Sequence, residues 1–173
     1  AAAEAVIGRM KTADAGAGIA LLTCLDAAGG IPALAAVCDA AQSPDEALCD
    51  AGLRTLGNWP DYEGVETLVA IASKPQTSLT HYVLAVRGAL RLIGSSGSTP
   101  MDERVTLCLA VLDHARRDDE KRQAVATLGA LPCPKAIDRL LELIKSDTLK
   151  TEAALAAVDL AGRMTATDRQ AAR

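Results

Sequence analysis

The sequence predicts an all-α fold in which helical hairpins repeat along one domain, residues 1–173, and three observations carry that expectation. The first is a recurring motif, apolar-x-x-apolar followed by Gly: Leu53/Leu56-Gly57, Leu90/Ile93-Gly94, Val125/Leu128-Gly129 and Val158/Ala161-Gly162. A weaker copy is Leu22/Leu25, with Asp26 in the Gly place. The second apolar residues, Leu25, Leu56, Ile93, Leu128 and Ala161, are 31, 37, 35 and 33 residues apart. The second observation is an independent register: Ile31, Val65, Val105 and Ile137 open apolar faces at steps of 34, 40 and 32. Self-similarity at such a period marks a repeat architecture. The third is composition. Half the residues are hydrophobic, yet there is no Phe, one Trp and two Tyr, so the core is aliphatic and rich in alanine. Small side chains let helices approach closely, as stacked hairpins require. One hairpin cannot bury its own apolar face, whereas stacked neighbours make a continuous core.

Taken in order, residues 1–11 form a short helix with Val6, Ile7 and Met10 inward, and Thr12 to Asp14 a turn. Helix 15–28 carries Ile19, Leu22 and Leu25, and Gly29-Gly30 breaks it. Pro32 suits the first turn of the next helix, which runs to about Ala41. Ser43-Pro44-Asp45-Glu46 is an N-terminal signal for helix 44–57. After the Asn58-Trp59-Pro60-Asp61 loop, helix 61–73 places Val65, Leu68, Val69 and Ala72 inward. Helix 77–93 repeats Val83, Val86, Leu90 and Ile93 at three-four spacing. Gly94 to Pro100 reads as an insertion. Helices 101–115, 119–129, 133–146 and 148–161 follow, with Ile137, Leu140, Leu141 and Ile144 on one face, and residues 165–173 start one more. Gly past a helical run fits a left-handed C-cap, and Pro60, Pro100 and Pro132 suit turns, where no amide donor is needed.

Arg87-Gly-Ala-Leu-Arg-Leu-Ile-Gly94 and Arg122-Gln-Ala-Val-Ala-Thr-Leu-Gly129 each place Arg seven residues before Gly. These stretches resemble the second helix of HEAT repeats, and the resemblance covers roughly residues 13–162. Asp50 and Leu155 stand in the Arg place of the flanking copies. The resemblance implies a right-handed α-α superhelix, an armadillo-type α-solenoid of about four to five hairpins. It also implies a non-catalytic protein-protein interaction scaffold, or a spacer, within a larger bacterial protein. The partner would be another protein or neighbouring domains of the same chain. The chain begins Ala-Ala-Ala-Glu and stops in mid-pattern, which reads as a piece of a longer protein.

Charge and motifs narrow the function classes. The formal net charge of −4 argues against a phosphate-binding surface and so against nucleic acid. No apolar run approaches the roughly 18 residues of a membrane span. Among HEAT-like enzymes, DNA glycosylases and bilin lyases are the alternatives. The acidic balance and scarcity of stacking aromatics weigh against the first, and the absence of a chromophore-cradling aromatic set against the second. Trp59 and Asp61 are the only local candidates for a glycosylase-type pair. No G-x-S-x-G, H-E-x-x-H or phosphate-cradling Gly loop occurs. The sequence predicts no catalytic residue, no metal and no cofactor, and leaves the compartment open. His81 and His114 read as surface or capping residues. Cys24, Cys38, Cys49, Cys108 and Cys133 read as small apolar fillers, with one Cys38–Cys49 disulfide admissible.

The second helices supply the polar candidates. One row reads Asp50, Arg87, Arg122, Leu155, and its neighbour Thr23, Arg54, Arg91, Ala126, Asp159. Asp50, Arg87 and Arg122 are expected to form a structural ladder, with an Asp50–Arg87 salt bridge. Arg54 and Arg91 project beyond it as a pair of forks for a carboxylate or an acidic loop. With Arg87 and Trp59 they are the candidate partner-binding residues. Trp59 reads either as a recognition anchor or, preferably, as a hydrophobic plug over the hairpin end.

Overall fold

The computed structural model describes residues 2–95, 99–145 and 148–171, with side chains to Thr165. It is all-helical: the described residues form eleven α-helices and one 3-10 turn, with no strand. Contacts divide the chain into two compact units, Ala1–Leu92 and Ile93–Arg173.

The first unit holds α1 (Ala2–Met10), α2 (Ala15–Leu22), α3 (Leu25–Ala28), α4 (Gly30–Ala41), α5 (Glu46–Gly57), the 3-10 turn Tyr62–Gly64 and α6 (Val65–Ser73). It also takes most of α7 (Leu79–Ser95). Two acidic caps start its helices. Asp14 accepts from Ala17 N at 2.8 Å and Asp45 from Leu48 N at 2.8 Å, each satisfying an amide with no partner inside the helix. The helix expected over 15–28 is two helices. At its middle Cys24 N donates to Leu21 O at 3.1 Å, a tightened turn, and Thr23 Oγ1 donates to Ala20 O at 2.8 Å. Gly29 and Gly30, at φ 62° and 82°, then reverse the chain into α4. Ile31 does not face inward as expected but is 80% exposed, and Ala33 and Val37 fill that place.

The second unit holds α8 (Met101–Asp113), α9 (Asp118–Gly129), α10 (Pro134–Leu143) and α11 (Lys150–Ala171). Pro134 opens α10, where its missing amide costs nothing. Leu140 is fully buried, but Leu141, expected beside it, is 52% exposed. The segments expected as separate helices, 148–161 and 165–173, are one helix, α11. Gly162 does not stop it, because Ala161, Arg163 and Met164 around it are good helix formers. The expected insertion at Gly94 to Pro100 falls partly on residues 96–98, outside the described residues, and Gly94 and Ser95 belong to α7.

Both cores are mainly aliphatic and alanine-rich, with Trp59 and Tyr82 also buried in the first, and the helices come close. A Cβ on Gly52 of α5 would lie 2.6 Å from the Ala40 carbonyl carbon of α4. One on Gly88 of α7 would lie 2.8 Å from the Gly57 Cα of α5, and one on Gly129 of α9 would lie 2.8 Å from the Ala156 Cβ of α11. This corrects the capping role expected of the motif glycines. Among the described residues only Gly29 and Gly30 have positive φ. Gly57 and Gly129 end their helices in ordinary geometry and serve as contact points between backbones.

Two buried charged residues, Arg104 and Glu120, belong to the frame. Arg104, 8% exposed, donates from Nε to Ile93 O at 2.8 Å and from Nη2 to Gly94 O at 3.2 Å. It thus holds carbonyls at the end of α7, where a cation complements the helix dipole. Glu120, 2% exposed, receives both its oxygens' bonds from Arg117 Nε at 3.0 Å.

Candidate functional site

Each unit carries a surface groove between two helices that touch through small residues. In the first unit α5 and α7 meet at Gly57 and Gly88. The groove above that contact, about 170 Å³, is lined by Leu53, Arg54, Gly57, Asn58, Leu84, Arg87, Gly88 and Arg91. In the second, α9 and α11 meet at Gly129 and Ala156. Their groove, about 280 Å³, is lined by Arg122, Ala126, Gly129, Ala130, Glu152, Leu155, Ala156, Asp159 and Arg163. The two linings differ in charge. Three arginines and no acid line the first; two arginines and two acids line the second.

The structure distributes the candidate residues differently from the expected rows. Asp50 pairs with Arg54 on its own helix, Nε to Oδ2 at 2.7 Å and Nη2 to Oδ1 at 3.3 Å, which raises the Arg54 pKa above its ordinary value. The expected Asp50–Arg87 bridge is not formed. Arg87 is exposed and has no ion pair among the described residues. Arg91 is not a free fork. Its Nε donates to Gly57 O at 2.6 Å and its Nη2 to Trp59 O at 2.7 Å, so it braces the turn after α5. Trp59 is 1% exposed, buried within the first unit. Arg122 bridges helices, but toward Glu152 of α11, one turn before Leu155, at 2.9 Å. Asp119 lies 3.3 Å from the same guanidinium. The Glu152 carboxyl is held below its ordinary pKa by its own backbone amide and by Arg122.

A thiol–imidazole contact was not legible in the sequence, since its members lie 32 residues apart. Cys49 Sγ stands 3.5 Å from His81 Nδ1 and donates to Ala41 O at 3.1 Å, beside a cavity of about 410 Å³ also lined by Lys74, Thr77 and Ser78. Burial, and then Asp50, push the Cys49 thiol up, away from the thiolate that nucleophilic chemistry needs. All five cysteines are free, so the admissible Cys38–Cys49 disulfide is absent. Cys38 Sγ instead accepts from Thr67 Oγ1 at 3.5 Å. Cys24 departs from the filler role and is exposed. Cys108 is fully buried, which pushes its pKa up to about 12. His114 follows the last residue of α8, where its backbone N donates to Ala110 O at 3.2 Å. Among the described residues no three of His, Cys, Asp and Glu gather as a metal site, and no helix is long and apolar enough to cross a membrane. Compared with protein-family models, with curated proteins and with solved structures, the chain matches none.

Proposed function

We propose that the chain is a non-catalytic interaction scaffold, a HEAT-like solenoid whose second helices present the binding face to a protein partner or a neighbouring domain. The observation that carries this reading is the repeated groove. α5/α7 and α9/α11 each bring a motif glycine against a small residue of the next helix. Each thereby leaves an open trough rimmed by charged side chains. A frame that repeats one surface form while changing its charges is suited to recognition, because the frame is held by apolar and backbone contacts and the rim is free to differ.

The test is affinity capture from an extract of the source cell, with the native chain beside an Arg54→Glu/Arg87→Glu version and mass spectrometry of what is retained. A protein held by the native chain and lost by the variant supports the scaffold and places its face at α5/α7. Equal retention moves the face elsewhere on the chain. Nothing retained by either refutes partner binding and leaves a spacer.

A further inference from the structure

Resting on the scaffold reading, we propose that the α5/α7 groove receives an acidic peptide segment, with Arg87 as its first contact and Arg54 as its second. In the α9/α11 groove Arg122 meets a carboxylate from the facing helix, Glu152, at 2.9 Å, and the lining is charge-balanced. The α5/α7 groove has the same floor, a glycine against the next helix, but no facing acid: Leu84 of α7 lines it instead. Arg87, on α7 itself, is an exposed guanidinium with no ion pair among the described residues, since Asp50 of α5 is taken by Arg54. Arg54 spends two donors on Asp50, yet its side chain is 58% exposed, which leaves N–H groups of a five-donor fork for a second carboxylate. Arg91, bound to the turn carbonyls, adds its charge from a fixed position.

The wider charge pattern selects the kind of polyanion. A nucleic-acid site needs a basic face large enough to neutralise many phosphates. This chain is net −4, and Asp50 stands beside the groove. A long polyanion is repelled beyond the arginines, whereas a short peptide with two or three carboxylates is met by planar forks that match carboxylate geometry.

The experiment measures fluorescence anisotropy of a short labelled Glu/Ala peptide added to the full chain at low salt. Its Gln-for-Glu counterpart and a labelled single-stranded oligonucleotide are the comparison probes. The Glu peptide should bind roughly ten-fold tighter than the Gln peptide. Arg87→Gln should weaken it by about ten-fold, and Arg122→Gln by less than about two-fold. Leu84→Glu, which places a tethered carboxylate in the groove, should abolish it. Circular dichroism melts confirm that each variant is folded, and Arg87 is exposed enough for its exchange to leave the frame intact. Equal losses from Arg87→Gln and Arg122→Gln, no preference for Glu over Gln, or tighter binding of the oligonucleotide would each overturn the proposal. The two readings fail separately. Capture of a partner that the Glu peptide does not displace leaves the scaffold and removes this groove. Peptide binding with an empty capture leaves the groove and removes the scaffold.

Discussion

Gly52→Ala is the sharpest test of how the first unit is held. In an isolated helix this exchange stabilises by about 1 kcal/mol, because alanine loses less backbone freedom on folding. Here the new Cβ would lie 2.6 Å from the Ala40 carbonyl carbon and 2.8 Å from the Ala41 Cα. Both neighbours are backbone, so no side chain can swing aside. α4 has to move away from α5, and that loosens a seam in which Ala33, Val37, Leu53 and Leu56 are at or near zero exposure. Overpacking of this kind costs typically about 1–3 kcal/mol and here sits at the upper end, since a backbone must give. After subtracting the propensity gain, a net loss of about 2 kcal/mol follows, or roughly 4–8 °C in melting temperature for a chain of this size. The assay is thermal melting by circular dichroism together with Trp59 fluorescence, which reports on the first unit because Trp59 is the sole Trp and is buried there. The control is Gly162→Ala in α11, where a Cβ meets nothing within 4 Å. That variant should gain up to about 1 kcal/mol. A Gly52→Ala protein as stable as the native one would refute the close α4/α5 seam.

The other predictions concern the buried and bracing charges. Arg91→Ala should cost about 1–3 kcal/mol by orphaning the Gly57 and Trp59 carbonyls, and Arg91→Lys should not restore it, because one ammonium cannot span both; red-shifted Trp59 emission checks this. Arg104→Met should cost about 2–3 kcal/mol in a denaturant titration, since the Ile93 carbonyl loses its donor inside the fold. On mild alkylation of the folded chain, mass mapping should find Cys24 labelled first and Cys108 last. The Cys108 thiol, raised to about 12, contributes stability that is complete below the unfolded value near 9.0 and declines as pH rises from there to about 12; Cys108→Ala should flatten that alkaline decline. Glu152 has a lowered folded pKa, so its contribution is present above the unfolded carboxylate range and is lost as pH falls through the folded value. Glu152→Gln should therefore be slightly less stable than the native chain at neutral pH and equal to it in acid.

How much of this was legible in the sequence depended on the distance over which each interaction acts. Helix positions followed from local periodicity, and Ser43 to Glu46 marked the start of α5 to within two residues. The motif glycines were read in the right places for the wrong reason. A pattern shows that no side chain stands there, and leaves open whether the backbone turns or a neighbour intrudes; Gly57 and Gly129 are the second case. Asp50 had two arginines within plausible reach. The local i,i+4 pairing with Arg54 won, since both residues ride one rigid helix at the right spacing. Arg91 looked available because its acceptors are main-chain carbonyls, which no sequence pattern displays. Ile31 was placed inward by the repeat register and Leu141 by helical spacing, and an apolar residue at a face's edge stays outside when neighbouring alanines and leucines already fill the seam.

The glycine-to-glycine meeting of α5 and α7 has a consequence for how this surface tolerates change. Where two helices are spaced by interlocked large side chains, any exchange at the seam shifts their separation and drags the rim with it. Here the spacing at Gly57 and Gly88 is set by main chain against main chain for as long as both positions stay glycine. The rim positions above, Arg54 and Arg87 among them, are thus mounted on a gauge whose setting is independent of what they are. Their identities can be rewritten one at a time, and the trough beneath keeps its width.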